Sequence, residues 1–262
     1  MKISAVALDL DGTLLNGRKQ VSERNLQAVL SCLDHGLRLI IATARPPRSV
    51  KELLPRELLD RSACVYYNGA IVRDTGAGID EHRPLSNKLT ATIVNFCAER
   101  FPDAHLSLEV NDLWYANREV ADAAFYHSKF RPELASAEEL ASRAATKILI
   151  SELEESEQLS REFAHSTRFV VTDGGKLIQI MNPSVSKATG IARLCGHYGI
   201  ETAQVAVFGD DHNDLDMFRM AGHAVAMGNA VPELKTIASE TTASNDDDGV
   251  ALVLERLLAR SV

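Results

Sequence analysis

The chain has 262 residues, 45% hydrophobic and 24% charged, with a formal net charge of −8 at pH 7. These proportions are those of soluble globular proteins and exclude a disordered chain or a coiled coil, while the acidic balance, with Lys and Arg scattered, argues against gripping nucleic acid or an anionic membrane. No apolar run approaches the ~20 residues of a membrane span, the start MKISAVALDLDGT lacks the signal-peptide pattern, and the four cysteines form no C-x-x-C pair, so a cytoplasmic protein with buried free thiols is expected.

In chain order, Ile3 to Leu10 is a short apolar run ending in acids and Gly12, the pattern of a buried parallel strand. Leu26, Val29, Leu30 and Leu33 then follow a helical period, with Ser22 as cap and Gly36 as stop. A second strand is expected at Leu37 to Ala42. Pro46 and Pro47 open a helix carrying Val50, Leu53 and Leu54, and a third strand covers Val65 to Tyr67. Near the far end, Gln204 to Phe208 reads as another buried strand, followed by a helix from about Asp214, the run His223 to Met227 and two more helical stretches. Alternating strands and helices predict a doubly wound, Rossmann-like α/β fold with a parallel sheet.

The middle differs. A helix carrying Leu89, Ile93, Phe96 and Cys97 opens it, and short strands such as Leu113 to Ala116 and Lys147 to Ile150 alternate with polar helices. This predicts a core formed by residues 1–83 and 183–262, with an α+β domain, residues 84–182, inserted through polar, proline-bearing joints.

Two acid clusters follow strands. Asp9-Leu10-Asp11-Gly12-Thr13-Leu14-Leu15 puts two carboxylates on one side of an extended backbone, since side chains two apart share a face. A D-x-D pair alone could be a turn, but this long string directly after an apolar strand points to chemistry. The second cluster, Gly209-Asp210-Asp211-His212-Asn213-Asp214, follows Val205 to Phe208 at a strand's carboxyl end, where open α/β sheets bind ligands. Oxygen-rich clusters suit Mg²⁺, which prefers one or two carboxylates plus waters and substrate phosphate. Asp211 and His212 read as solvated loop positions. For Asp246-Asp247-Asp248, the dipole of a helix start suffices as an explanation.

The first string resembles the nucleophile loop of the haloacid dehalogenase superfamily, in which the first Asp attacks phosphorus and the second is general acid and base. The resemblance extends over the whole chain and is nearest to the Cof-type branch, with its α/β cap after the third strand, and with stretches like Asn68-Gly69-Ala70, Ala226-Met227-Gly228-Asn229-Ala230 and Asn245 to Ala251. It implies that Asp9 is the nucleophile and Asp11 the acid and base. Thr43 and the backbone N–H groups of Leu10 and Ala44 would hold phosphate with Lys187 and Asn213. Asp9, Asp11 and Asp210 would surround Mg²⁺, with Asp214 a ligand or an orienter of ligands. Two departures stand out: Ala44 where the branch usually has glycine, and Gln179 where an acid is common.

The expected protein is thus a Mg²⁺-dependent phosphatase of small phosphorylated metabolites working through an aspartyl-phosphate, a monomer by default. Its cap would choose the substrate, with Trp114, Tyr115 and Asn117 as candidate contacts. The alternatives are a phosphotransferase or mutase with the same chemistry, or a non-catalytic ligand-binding member of the fold. A single-domain signalling receiver would leave the insert unexplained.

Overall fold

The computed structural model describes residues 3–119, 129–153, 157–172 and 176–259. The chain divides into two compact units, Met1–Glu81 with Ser186–Val262, and His82–Val185.

The first unit is built on an eight-stranded sheet of order β14-β13-β12-β1-β2-β3-β4-β5. Its strands are β1 (Ala5–Leu8), β2 (Arg38–Ala42), β3 (Ser62–Tyr66), β4 (Ile71–Asp74), β5 (Ile79–His82), β12 (Val205–Gly209), β13 (His223–Ala226) and β14 (Glu240–Thr241). Pairing is parallel from β14 to β3 and turns antiparallel at β4. Every residue of β1 and β12 is buried, which explains their unbroken apolar sequences: each is covered on both faces. The helices are α1 (Glu23–Asp34), α2 (Pro47–Leu53), α3 (Arg56–Asp60), α7 (Lys187–Tyr198), α8 (Leu215–Met220), α9 (Pro232–Ile237) and α10 (Gly249–Ala259). Ser22 caps α1 by accepting from the Asn25 N–H at 3.1 Å, and Gly36 follows with a φ of +82° that ends the helical register. The helix expected after Pro46 is split, because Pro55 disfavours the helical conformation at Leu54. β4 and β5 are absent from the sequence reading: both are short and rich in Asp, Glu and Arg, without an apolar run to betray them.

The second unit has a six-stranded sheet of order β10-β11-β9-β6-β7-β8. Its strands are β6 (His105–Val110), β7 (Leu113–Ala116), β8 (Glu133–Leu134), β9 (Lys147–Ser151), β10 (Arg168–Thr172) and β11 (Leu177–Met181); its helices are α4 (Asn87–Arg100), α5 (Ala137–Ala141) and α6 (Glu157–Phe163). Leu106, Leu108, Ile148, Ile150, Ile178 and Ile180 form one apolar cluster with helix residues such as Ile93, Leu140 and Phe163. By the two-residue period of a strand, Ser107, Glu109, Lys147 and Gln179 take the opposite face. Lys147 Nζ donates to Gln179 Oε1 at 3.0 Å, and Gln179 Nε2 donates to Thr172 Oγ1 at 3.2 Å. Thus Gln179, at the position where an acid is common in the Cof-type branch, is an amide that spans a lysine and a hydroxyl.

All four cysteines are free and buried. Among the described residues no helix is long and apolar enough to cross a membrane.

Candidate active site

β1, β2 and β12 are neighbours in the parallel sheet, and the chain winds outward from β1 in both directions, so their carboxyl ends open onto the crevice such a reversal creates. Asp9 leaves β1, Thr43 leaves β2 and Asp210 leaves β12.

The turn after β12 closes around one carboxylate. Asp214 is fully buried; its Oδ2 accepts the N–H groups of Asp210 at 3.0 Å and Asp211 at 3.2 Å. A side chain at position 209 would come within 2.5 Å of that same oxygen, which is why the strand ends in glycine. Asp214 Oδ1 is taken by Lys187 Nζ at 2.7 Å, and the same ammonium donates to Asp9 Oδ1 at 2.6 Å. Lys187 opens α7, where Ser186 and Thr189 form a reciprocal capping box that fixes the helix start, and it is fully buried.

One ammonium therefore serves a group of three carboxylates, Asp9, Asp210 and Asp214, whose oxygens lie within 4.8 Å of one another. The imbalance shows in their acidities. Burial, opposed by Lys187 and reinforced by Asp214 and Asp210, pushes Asp9 well above the usual carboxylate range. Burial and the Asp214 charge push Asp210 up to about 6, against a hydrogen bond from Thr13 Oγ1 at 3.1 Å. Burial works against the Lys187 ammonium, yet Asp214 and Asp9 more than offset it and hold Lys187 above its ordinary value. A crowded, all-oxygen donor set short of positive charge fits a hard divalent cation.

Asp11 stands apart from this group. Burial opposes its ionisation, but the Arg45 guanidinium and the Lys19 ammonium hold it down to about 2. Arg45 grips it with Nε on Oδ2 at 2.6 Å and Nη2 on Oδ1 at 2.7 Å, and Lys19 Nζ reaches Oδ1 at 2.7 Å. Thr43 is buried, and its Oγ1 accepts the Arg45 N–H at 3.1 Å. Its carbonyl accepts the Asn68 N–H at 2.9 Å, and Asn68 Oδ1 takes a bond from Asn213 Nδ2 at 3.2 Å. Asn68 has a φ of 53° in a tight turn, and a Cβ at Gly69 would run into the Ser186 carbonyl, so this turn packs directly on the cap of α7. Leu10 is buried, and its carbonyl accepts the N–H groups of Thr13 and Leu15. Ala44 follows Thr43 at the head of the same loop.

The structure thus brings Asp9, Asp210, Asp214 and Lys187 into one group, sets Thr43 and Asn213 around the Asn68 turn, and turns Asp11 toward Arg45 and Lys19. Arg45, Lys19, Asn68 and Thr13 have no role in the sequence reading. Arg45 stood in plain view behind Ala44, but its partner Asp11 lies 34 residues earlier, a distance no local pattern spans. In the second unit, Tyr115 belongs to the apolar cluster with Arg143 stacked 3.7 Å from its ring centre, and Asn117 is engaged by the Leu106 N–H and the Ala104 carbonyl. Trp114 sits opposite Glu109 in the β6–β7 ladder.

The family model of haloacid dehalogenase-like hydrolases matches residues 6–254, and the chain belongs to that family. Relatives that match it over nearly their whole length are phosphatases, and so is this enzyme. It is similar to the 5-amino-6-(5-phospho-D-ribitylamino)uracil phosphatases YitU and YwtE of Bacillus subtilis. YitU is 30% identical over 95% of this chain and 96% of the relative, and YwtE is 28% identical over 98% and 99%. The crystal structure of TM0651 from Thermotoga maritima superposes with a TM-score of 0.86 at 25% identity, covering 97% of each chain.

Proposed function

We propose that this phosphatase hydrolyses phosphate monoesters of small, hydroxyl-rich metabolites in the cytoplasm through a phosphorylated Asp9, with Mg²⁺ bound beside it. The observation that carries this reading is the sharing of Lys187 between Asp9 and Asp214 beside Asp210, at the carboxyl ends of adjacent parallel strands. The substrate class rests on the ribityl phosphate named for YitU and YwtE.

Phosphoryl transfer is mainly positioning and charge stabilisation, so a dianionic ester entering a cluster of carboxylates requires cations. Lys187 is one, and Asp9, Asp210 and the Asp11 backbone carbonyl would hold Mg²⁺, which supplies the remaining charge when bound. Asp214, with both oxygens already engaged, orients Lys187 and the Asp210 turn. A carboxylate oxygen of Asp9 attacks phosphorus, the bond from phosphorus to the ester oxygen breaks, and that oxygen takes a proton from Asp11. Water then attacks the acyl-phosphate, giving its proton to Asp11, and the phosphorus–Asp9 bond breaks to release phosphate. With Asp11 held ionised by Arg45 and Lys19, its acid role begins once the incoming phosphoryl group competes for the Arg45 fork. The Thr43 hydroxyl, Asn213 and the N–H groups of Leu10 and Ala44 are the proposed phosphate ligands. Residues 84–182 are the proposed cap, the domain that chooses the substrate.

The test is phosphate release from an aryl phosphate with and without Mg²⁺, coupled to rapid-quench labelling and peptide mass analysis. The reading expects Mg²⁺-dependent release and a label on Asp9; Asp11→Asn should accumulate that label for want of a base. Label on another residue would refute the assignment, and transfer to an added alcohol without phosphate release would favour a phosphotransferase.

A further inference from the structure

Asn229 and Asn245 belong to two stretches that the sequence singled out and that no step above uses. Both lie in the first unit, and their side chains converge on the loop that follows Asp9 and Asp11. Asn229 Nδ2 donates to the Gly12 carbonyl at 2.8 Å and lies 3.4 Å from Asp210 Oδ2. Its Oδ1 accepts the Asn245 N–H at 3.1 Å. Asn245 Nδ2 in turn donates to the Leu15 carbonyl at 2.9 Å, and the next residue, Asp246, accepts the Gly17 N–H at 2.7 Å. Behind them the two backbones touch: the Gly228 N–H donates to the Ala243 carbonyl at 3.0 Å, and a Cβ at Gly228 would come within 2.8 Å of the Ser244 nitrogen.

For Asp246 and Asp248, contacts with the chain after β1 replace the helix-dipole explanation, while Asp247 accepts the nearby Ser244 hydroxyl at 2.6 Å. The segment forms a short turn before α10, with Asp246 at Gly17, and Asp248 at Ser22 Oγ, 2.5 Å away. The need for such a hold is physical. Gly12 has a φ of +76°, a conformation without side-chain restraint, and a Cβ there would collide with the Asp210 carboxylate. The loop must therefore lie tight against Asp210, and the two acceptors brought together there, the Gly12 carbonyl and the Asp210 carboxylate, must share a donor whose own group also accepts the Asn245 N–H. An amide does both, donating to a carbonyl and a carboxylate while accepting an N–H; a carboxylate or methyl cannot.

We propose that Asn229 and Asn245 are positioning residues that clamp the nucleophile loop at Gly12 and Leu15 against Asp210, so that Asp9 and Asp210 present their oxygens to one cation. This rests on the phosphatase reading above. Asn229 is exposed, so its loss leaves the fold intact and separates positioning from folding.

The experiment compares the native protein with Asn229→Ala, Asn245→Ala, the double variant and Asn229→Asp. It reads kcat and KM for an aryl phosphate, the Mg²⁺ concentration giving half-maximal rate, and, without substrate, the rise in melting temperature caused by Mg²⁺ over EDTA. Residues that orient metal ligands typically alter affinity or activity by about 10–100-fold, so each alanine variant should lose roughly tenfold or more in kcat with KM little changed, and need roughly tenfold more Mg²⁺ both for rate and for thermal stabilisation. Because the two amides act in series, the double variant should lose no more than about the worse single one. Asn229→Asp, which keeps the shape without the donor, should lose kcat likewise. If the native protein is active and stabilised by Mg²⁺ while Asn229→Ala, Asn245→Ala and Asn229→Asp match it, the clamp is wrong and the phosphatase reading stands. A native protein with neither phosphate release nor Mg²⁺ stabilisation would overturn both.

Discussion

Arg45 closes a planar, two-bond fork on Asp11 at 2.6 and 2.7 Å, while Lys187 does nothing comparable for Asp9, dividing its ammonium between Asp9 and Asp214. Two carboxylates of the same type, two residues apart, are thereby driven in opposite directions: Asp11 to about 2 and Asp9 upward. Arg45→Met should raise the Asp11 value from about 2 toward the ordinary 3.8, the remaining depression coming from Lys19. A carbon chemical-shift titration of Asp11 in metal-free buffer reads this, and an unmoved midpoint would show that the fork does not persist in solution.

Removing a metal ligand should be felt before catalysis is. Asp210→Asn keeps the hydrogen bond from Thr13 but gives up the charge, and Mg²⁺ should then raise the melting temperature only at concentrations roughly tenfold higher or more. Excess EDTA should abolish turnover in the native protein. Ca²⁺ should inhibit, because its larger and more flexible shell disturbs in-line geometry. Full turnover in EDTA would contradict the metal assignment.

Asp9 and Lys187 should separate stability from activity. Asp9→Asn removes the nucleophile and also one of three crowded carboxylates, so turnover should vanish while resistance to denaturant is kept or raised. Lys187→Met leaves Asp9 and Asp214 buried without their shared cation, and should lower the unfolding free energy by about 3–5 kcal/mol, as expected for breaking a buried ion pair. Equal loss of stability in both variants would mean that the ammonium does not offset the carboxylate crowding.

In the second unit, His105 is buried, with its Nδ1 3.3 Å from Ser151 Oγ and its Nε2 without a hydrogen-bond partner among the described residues. Burial lowers its proton affinity below the ordinary 6.5. The unfolded chain then binds the proton more tightly, so the stability contributed by neutral His105 is fully present above that ordinary value and declines as pH falls below it toward the folded-state value. Denaturant midpoints measured at neutral and mildly acidic pH should fall less in His105→Phe than in the native protein. A parallel fall in both would assign the acid sensitivity to other groups.

What the sequence disclosed and what it withheld follow from range. The acids after β1 and β12 were legible because each follows a strand so apolar that its end is unmistakable, and the doubly wound sheet because strands and helices alternate with it. Arg45 on Asp11, Asn229 on Gly12 and Asp246 on Gly17 join residues 34, 217 and 229 positions apart, and such pairs leave no periodicity to read. Asp246 and Asp248 illustrate the difficulty: their local setting offered a sufficient explanation, and the distant Gly17 and Ser22 supplied the actual partners. β4 and β5 went unseen because each is four residues long: β4 has only Ile71 and Val72 before Arg73 and Asp74, and the edge strand β5 has only Ile79 before Asp80, Glu81 and His82.

The pairing of Ala5 with Val205 also has a consequence for biosynthesis. At translation rates of about 5–20 residues per second, β1 waits on the order of ten seconds for β12 to be made, its open edge unpaired and wholly apolar. During that interval all of His82–Val185, whose sheet neighbours lie closer in sequence, emerges and can fold, whereas the first unit must hold half a sheet ready. The nascent chain is therefore at its most aggregation-prone late in synthesis, and a ribosome-bound chaperone that shields the edge of β1 until residue 209 has emerged would raise the yield of folded enzyme.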